Sequence, residues 1–403
     1  MPEAVIVAAT RSPIGRAKKG SLRDMRGDDL GAEIIGRALD SIPAFDRHEL
    51  TDIMVGCAQP AGEQGYGIAR AMAVLLGLDG VPGTTVQRYC ASSLQTTRMA
   101  FHAIKAGEGD AFVSAGVEMV SRFVNGKSDG MPDTRNPRFD EPERRATESA
   151  GRGWVDPRKD GLLPSLYVSM GLTAENVASG WNVSREDQDE FAALSQNRAE
   201  RSRESGFFDR EITPVTAPDG TVVTADDSPR AGVTAEGLSA LKPVFTADGT
   251  VTAGNCCPMN DGAAALVIMS EEKARNLGIT PLARIVSTAV SAMSPEVMGM
   301  TPVDATRRAI SAAGMTLSDI DLVEINEAFA AQVVPSVREL GLDYDRVNVH
   351  GGAIALGHPY GMTGARMTAT LLNALRWNDK EFGVETMCAA GGQGMAMVVQ
   401  RLS

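Results

Sequence analysis

The period of the apolar residues switches repeatedly along this chain, and each switch marks a passage from strand to helix or back. MPEAVIVAATRSP opens with an apolar run and no basic leader, which predicts a strand rather than a targeting segment. In DDLGAEIIGRALDSI the apolar positions recur at helical spacing and define one face. Glu49-Leu50-Thr51 then makes an acidic turn into a strand from Ile53 to Val55. The same order returns in the second half, with PVDATRRAISAAG as helix, Asp319-Ile320-Asp321 as turn and Val323 to Ile325 as strand.

Each copy next reaches a strand-to-helix turn that carries a reactive side chain. Cys90 lies between an apolar strand and an amphipathic run in which Leu94, Thr97, Phe101 and Ile104 share the inward face. His358 stands in GGAIALGHPYGMTGAR before another helix, which Pro359 can start at its first position. Arg98-Met99 and Arg366-Met367 each fall eight residues after the candidate group. Two related α/β halves are expected, with largely parallel sheets covered by helices and a site between the halves at the carboxyl ends of strands.

Residues 122–252 break the rhythm and read as an inserted subdomain. Between Arg122 and Asp160 proline and glycine are frequent, and nine Lys/Arg face eight Asp/Glu, so this stretch is not acidic like the whole chain. Its charges form a solvated surface or meet ligand phosphates. Farther on, Ser184 with Asp187 predicts a capped helix, Phe191 and Leu194 its apolar stripe, and Gly206 its end. The expected division is 1–121 as the N-terminal half, completed by about 253–275, then 122–252 as the insertion and 276–403 as the C-terminal half.

With 403 residues the chain exceeds one ordinary core, and its net charge of −12 argues against nucleic acid or an anionic membrane as partner. No apolar window is long enough for a membrane helix. Five cysteines, at 57, 90, 256, 257 and 388, form no metal-like or disulfide-framework spacing, so a reducing cytoplasm is expected.

A thiol at a helix N-terminus is stabilised as thiolate, which predicts a lowered pKa for Cys90. His358 can take the thiol proton or donate to an oxyanion. Cys388, in MCAAGGQG, sits on a third turn that Gly391, Gly392 and Gly394 open to close approach. Asn326 of NEAFA can position a water or an oxyanion, or cap the helix that follows. Cys57 reads as packing, and Cys256 with Cys257 as pocket lining or turn filling. His48 and His102 read as structural or exposed, whereas His350 brackets the glycine-rich loop. No Walker or GxGxxG loop is present, which argues against ATP or NAD.

VIVAATRSPIGR, QRYCASSLQ, DDSPRAGVTAEGLSALKPVF, NDGAAALV, NEAFA, GGAIALGHPYGMTGAR and CAAGGQG together resemble the signatures of the thiolase family through nearly the whole chain. The resemblance implies two βαβαβαββ halves forming a layered α/β sandwich around buried helices, with a loop domain inserted in the first half. It implies Cys90 as the acylated nucleophile, His358 as its activator and Cys388 as the group that moves the α-carbon proton. Asn326, through a water and with His358, would form one oxyanion hole, and the backbone N–H groups of Cys90 and Ala390 a second. Cys257 and Met298 would lie along the CoA and acyl path. CoA is then a substrate, no cofactor is permanently bound, no metal is needed, and the assembly is a homotetramer of paired dimers.

Four positions depart from the family pattern: Ser93 and Ala390 stand where glycine is common, Cys257 where a serine meets pantetheine, and Thr301 where glycine follows Met298-Gly299. The implied activity is CoA-dependent cleavage of 3-ketoacyl-CoA in fatty-acid β-oxidation, with acetyl-CoA acetyltransferase as the nearest rival. A non-catalytic acyl-CoA or lipid binder and a cysteine hydrolase are alternatives of other classes. Neither has a use for two thiols, a base and an amide together.

Overall fold

The computed structural model describes residues 2–123, 131 and 134–403. Nine strands form its main sheet: β1 (Ala4–Arg11), β2 (Asp52–Gly56), β3 (Gly83–Val86), β4 (Ala111–Met119), β5 (Asn260–Ser270), β6 (Ala283–Ala292), β7 (Leu322–Ile325), β8 (Phe382–Ala389) and β9 (Gln393–Arg401). A two-residue strand, Gly15–Arg16, adds to β5. The six helices that matter for the site are α1 (Gly27–Asp40), α2 (Ser92–Ala106), α3 (Arg185–Glu204), α4 (Thr301–Ala312), α5 (Ala330–Leu340) and α6 (Thr363–Trp377).

Strand order is β7-β8-β9-β6-β1-β5-β4-β2-β3, and the two sides of this path repeat one pairing pattern. In the first half β2 runs parallel to β3 and β4, β4 antiparallel to β5, and β5 antiparallel to β1. In the second, β7 runs parallel to β8, β8 antiparallel to β9, and β9 antiparallel to β6. An isolated parallel bridge from Val347 to Val323 stands where β3 pairs with β2. The halves join through a short antiparallel pairing, Val5 with Arg284 and Ile6 with Ala283. The sheet is therefore mixed rather than largely parallel, because the last two strands of each half return as antiparallel neighbours, which needs no helical crossover.

Alternation along the strands sorts the core into layers. Val5 and Val7 of β1 face an outer core with Leu30, Ile34 and Ile35 of α1. Ala4 and Ile6 face a central core with Leu94 and Phe101 of α2 and Leu371 and Leu375 of α6. A third core covers the outer face of the second half with α4 and α5. The helix Met170–Gly180 and α3 also feed this third core, so apolar residues between the two halves in sequence pack chiefly on the second half. Ser184 and Asp187 form the expected reciprocal cap at the start of α3, and Gly206 follows its end with φ +74°. Part of the charged stretch after Arg122, residues 124–130 and 132–133, lies outside the described residues. No helix among the described residues is long and apolar enough to cross a membrane.

The central helices α2 and α6 lie against each other and are buried on most sides. A Cβ at Gly364 would collide with the backbone of Leu94, so glycine sets this close approach. Ser93, the residue in place of a glycine, is fully buried and accepts a 2.9 Å hydrogen bond from the N–H of Ala365. Its hydroxyl thus ties α2 to α6.

Candidate active site

After β3 the chain makes one tight turn, Tyr89–Ala91, and enters α2. Tyr89 is a non-glycine residue at φ +45°, a conformation that carries strain unless its surroundings hold it. Ser92 does so: its hydroxyl donates to the Tyr89 carbonyl at 2.6 Å and accepts from the Arg88 N–H at 2.9 Å. The turn leaves Cys90 at the floor of a cavity of about 320 Å³, beside Ala58, Tyr360, Ala390 and Gly391.

Two N–H groups, those of Cys90 itself and Ala390, favour the sulfur as an anion. Burial opposes them and wins, pushing the Cys90 thiol up to about 12. The expected lowering by the helix N-terminus is thus not found, because burying the charged sulfur costs more than the helix start and the two N–H groups return. Cys90 rests as a thiol and needs a base. Ala390 belongs to the three-residue connection between β8 and β9. Gly391 and Gly392 there take φ +78° and +77°, whereas Ala390 needs no positive φ, so its side chain costs no backbone strain and its N–H is kept.

His358 is almost fully buried, and burial, helped by the charge of Arg366, lowers it to about 3, so its ring is neutral. Its Nδ1 lies 2.6 Å from the hydroxyl of Thr363, the first residue of α6, and that hydroxyl donates to the Pro359 carbonyl at 2.7 Å. A hydroxyl has one hydrogen to give, so the network assigns the ring hydrogen to Nδ1 and makes Nε2 the acceptor. Asn326, just past β7, directs its Nδ2 at Nε2 from 3.3 Å. Its Oδ1 is buried with no partner among the described residues.

Cys388 occupies the penultimate position of β8, fully buried, and burial followed by the proximity of Cys90 pushes its thiol up. Burial also raises Cys257, and Cys256, Cys90 and Cys388 all add to the effect, so Cys257 belongs to the same thiol cluster. Its N–H donates to the carbonyl of Ala328 in NEAFA at 3.1 Å. Cys256 lines a separate small cavity with Arg230 and Leu238. Met298, expected along the acyl path, is buried in the outer core of the second half and does not line the Cys90 cavity. Thr301 donates to the carbonyls of Met298 and Gln393, both at 2.7 Å.

Several residues of the site were not picked out by sequence reasoning. Glu118, the one charge in the apolar strand β4, is fully buried and accepts from the N–H groups of Ala58 (2.7 Å), Gln59 (3.3 Å) and Gly361 (2.9 Å) and from Gln64 Nε2 (3.1 Å). It clamps the cavity wall at Ala58 to the loop that carries His358. Its signal was available, since a carboxylate in an otherwise apolar strand must find donors. Asn260, at the head of β5, accepts from the His358 N–H at 3.1 Å and donates to the Gly15 carbonyl at 3.0 Å. A Cβ at Gly357 would strike this carboxamide, and Gly357 takes φ +112°, so both space and backbone demand glycine before the histidine. His350 is structural: it stacks on Phe207 with ring centres 3.6 Å apart, and its nitrogens meet Ser202 and Asn378. Cys57, as expected, is buried packing beside Glu118.

Comparison with known proteins places this geometry in a family. The family model for the thiolase N-terminal domain matches residues 4–272, and that for the thiolase C-terminal domain matches residues 279–401. A protein of Bacillus subtilis named 3-ketoacyl-CoA thiolase is 42% identical over 99% of this chain and 100% of its own length. A beta-ketoadipyl-CoA thiolase of Acinetobacter baylyi is 40% identical, and an acetyl-CoA acetyltransferase of Escherichia coli 43% identical, each over the full length of both chains. The crystal structure of the Bacillus anthracis acetyl-CoA acetyltransferase superposes with a TM-score of 0.87 at 37% identity, covering 100% of this chain and 99% of that one. The chain is a member of the thiolase family of acyltransferases.

Proposed function

We propose that this protein is a 3-ketoacyl-CoA thiolase, which cleaves a 3-ketoacyl-CoA with CoA into acetyl-CoA and a shortened acyl-CoA. The observation that carries the reading is a protonated Cys90 at the floor of a cavity, with the Ala390 N–H favouring its anion and a second thiol, Cys388, beside it. Neutral His358 takes the Cys90 proton on Nε2, and the thiolate attacks the 3-keto carbon. The bond between C2 and C3 breaks, its electron pair passes to the acetyl-CoA enolate, and Cys388 gives that carbon its proton. CoA then yields its thiol proton to the Cys388 thiolate and attacks the acyl group on Cys90, whose sulfur leaves and recovers the proton from His358. Donors for the developing oxyanions are the N–H groups of Cys90 and Ala390 on one side, and His358 with an Asn326-held water on the other.

CoA enters as a substrate in this scheme, and no permanently bound cofactor or metal takes part. A cytoplasmic homotetramer completes the reading, and sedimentation of the purified protein tests the assembly. The relative named acetyl-CoA acetyltransferase supports a second reading, condensation of two acetyl-CoA by the same residues. The deciding experiment is the rate of CoA-dependent cleavage of 3-ketoacyl-CoA substrates from about four to sixteen carbons. Activity beyond acetoacetyl-CoA is expected. Activity confined to acetoacetyl-CoA would favour the acetyltransferase, and none at all would leave a non-catalytic binder.

A further inference from the structure

Glu327 is a fully buried carboxyl group to which the proposed chemistry gives no task, although it directly follows Asn326. Its Oε2 accepts hydrogen bonds from the Ser195 hydroxyl at 2.6 Å and the Ile354 N–H at 3.0 Å, and its Oε1 accepts from Asn348 Nδ2 at 2.8 Å. These partners come from separate places: Ser195 from α3 of the insertion, Asn348 from the connection after α5, and Ile354 from the loop that leads to His358. The chain is shaped to admit the group. A Cβ at Gly352 would strike the Glu327 carboxylate, and one at Gly351 would strike Ala199 and the Ser195 carbonyl on α3. Asn348 also accepts from the Ile325 N–H at 2.8 Å and donates to the Ile325 carbonyl at 2.9 Å. One carboxamide therefore grips the residues on both sides of Asn326.

We infer that Glu327 is a positioning residue: through Asn348 and the Ile354 loop it holds the Asn326 amide where the oxyanion hole shared with His358 needs it. The inference rests on the thiolase reading above and adds a residue to that same site. Asn326 Nδ2 stands 3.3 Å from His358 Nε2, a loose contact, and Asn326 Oδ1 has no partner among the described residues, so the amide's own bonds do not fix it. Its place is set by the backbone on either side. Both oxygens of Glu327 have to accept, because Asn348 cannot turn its Nδ2 away without breaking its two bonds to Ile325, and the Ile354 N–H can only donate. A carboxamide at position 327 would set N–H against N–H whichever way it lay, and the displaced side chain would carry Asn326 with it. Burial raises the Glu327 pKa, and hydrogen bonds from Ser195, Asn348 and Ile354 oppose that rise. The N–H groups of Cys90 and Ala390 reach the Cys90 sulfur and so serve the acyl group bound to it, which leaves the Asn326 hole for the thioester oxygen of the enolate.

The test is a double-mutant cycle read on two partial reactions. Glu327→Gln should lower the kcat for cleavage of 3-oxohexanoyl-CoA by about 10- to 100-fold, while acylation of Cys90 by a simple acyl-CoA, followed by mass spectrometry, stays within about threefold of wild type. In an Asn326→Ala background, which removes the group being positioned, Glu327→Gln should have no further effect on cleavage. Ser195→Ala removes one donor from outside the site and should act in the same way by about threefold, again only where Asn326 is present. That variant decides the matter if a thermal melt shows Glu327→Gln unfolded. An unchanged cleavage rate, equal losses in the two partial reactions, or the same loss with and without Asn326 would overturn the inference while leaving the thiolase reading intact. Wild-type protein that neither forms the acyl-enzyme nor cleaves a 3-ketoacyl-CoA would bring down both.

Discussion

The two halves share a frame and divide the chemistry unevenly. In the first, Cys90 sits two residues before α2, so its turn is part of the helix entry and Ser92, at the start of α2, braces it. In the second, His358 sits five residues before α6, on a loop, and the hydroxyl of Thr363 has to hold the ring from the helix start. Asn326, His358 and Cys388 all come from the second half, and Cys90 comes from the first. The strands differ in the same sense. Met54 and Ser114 are register partners in β2 and β4, and their counterparts in β7 and β8 are Glu324 and Glu385. A duplicated frame supplies equivalent positions at a shared boundary, and each half fills them with a different kind of group.

The largest effect should come from the first half alone. Cys90→Ser should lower cleavage and acyl transfer together by about 1000-fold or more, because a serine hydroxyl, unlike a thiol, has no accessible anion near neutral pH. Thermal melts should stay near wild type. If either partial reaction survives, the acyl acceptor lies elsewhere. Cys388→Ala separates the halves more sharply. Acylation of Cys90 by a simple acyl-CoA should remain within about tenfold of wild type, while carbon–carbon cleavage falls by about 1000-fold. Mass spectrometry of the acyl-enzyme beside a cleavage assay reads both, and equal losses would deny Cys388 a separate proton-transfer role.

The duplication was legible because it is written in period: the helix, acidic turn and strand that precede each site appear in the same order in α1 to β2 and in α4 to β7. The turns before Cys90 and His358 were legible from the switch of period into a helix, but Cys388, expected on a third such turn, is buried near the end of β8 and is followed by a second strand, because the glycines after it close a strand-to-strand connection. What failed was a balance of energies. A helix N-terminus argues for a thiolate, but how much water remains at Cys90 depends on residues hundreds of positions away, including Ala390 and Tyr360. Antiparallel returns in each half were missed because buried strands read alike whichever way their neighbours run.

Glu118 tests whether the halves must be locked together. Its carboxylate collects donors from the first half at Ala58, Gln59 and Gln64 and from the second at Gly361. Burial raises it from its ordinary 4.5 to about 7. Glu118→Gln places a new donor among four existing ones and should lower kcat by about 10- to 100-fold through misplacement of the His358 loop. Below about pH 7 the wild-type carboxyl gains a proton and loses an acceptor, so its kcat should fall on the acid side, and the variant should lack that limb. A wild-type limb retained in the variant would assign it to another group.

The smallest effect concerns the register partners. Glu385 is fully buried and held by the Thr368 hydroxyl at 3.0 Å, and burial raises its pKa from 4.5 to about 8. The unfolded chain releases this proton near 4.5, while the folded protein keeps it to about 8. Between those values the folded state binds more protons, so this residue's contribution to stability falls as pH rises through the window. His350 and His358, held neutral by burial, act in the opposite direction below about 6.5, where the unfolded chain gains protons that the fold refuses. They are common to wild type and variant and cancel in a difference. Glu385→Gln should therefore gain on wild type as pH increases, by about 2 °C or more in Tm between pH 5.5 and 8.5. The equivalent position in the first half, Ser114, carries no ionisable group, and Ser114→Ala should give a Tm difference that does not vary with pH. A flat difference for Glu385→Gln as well would mean that the two halves carry equivalent neutral partners and that the asymmetry ends at the catalytic turns.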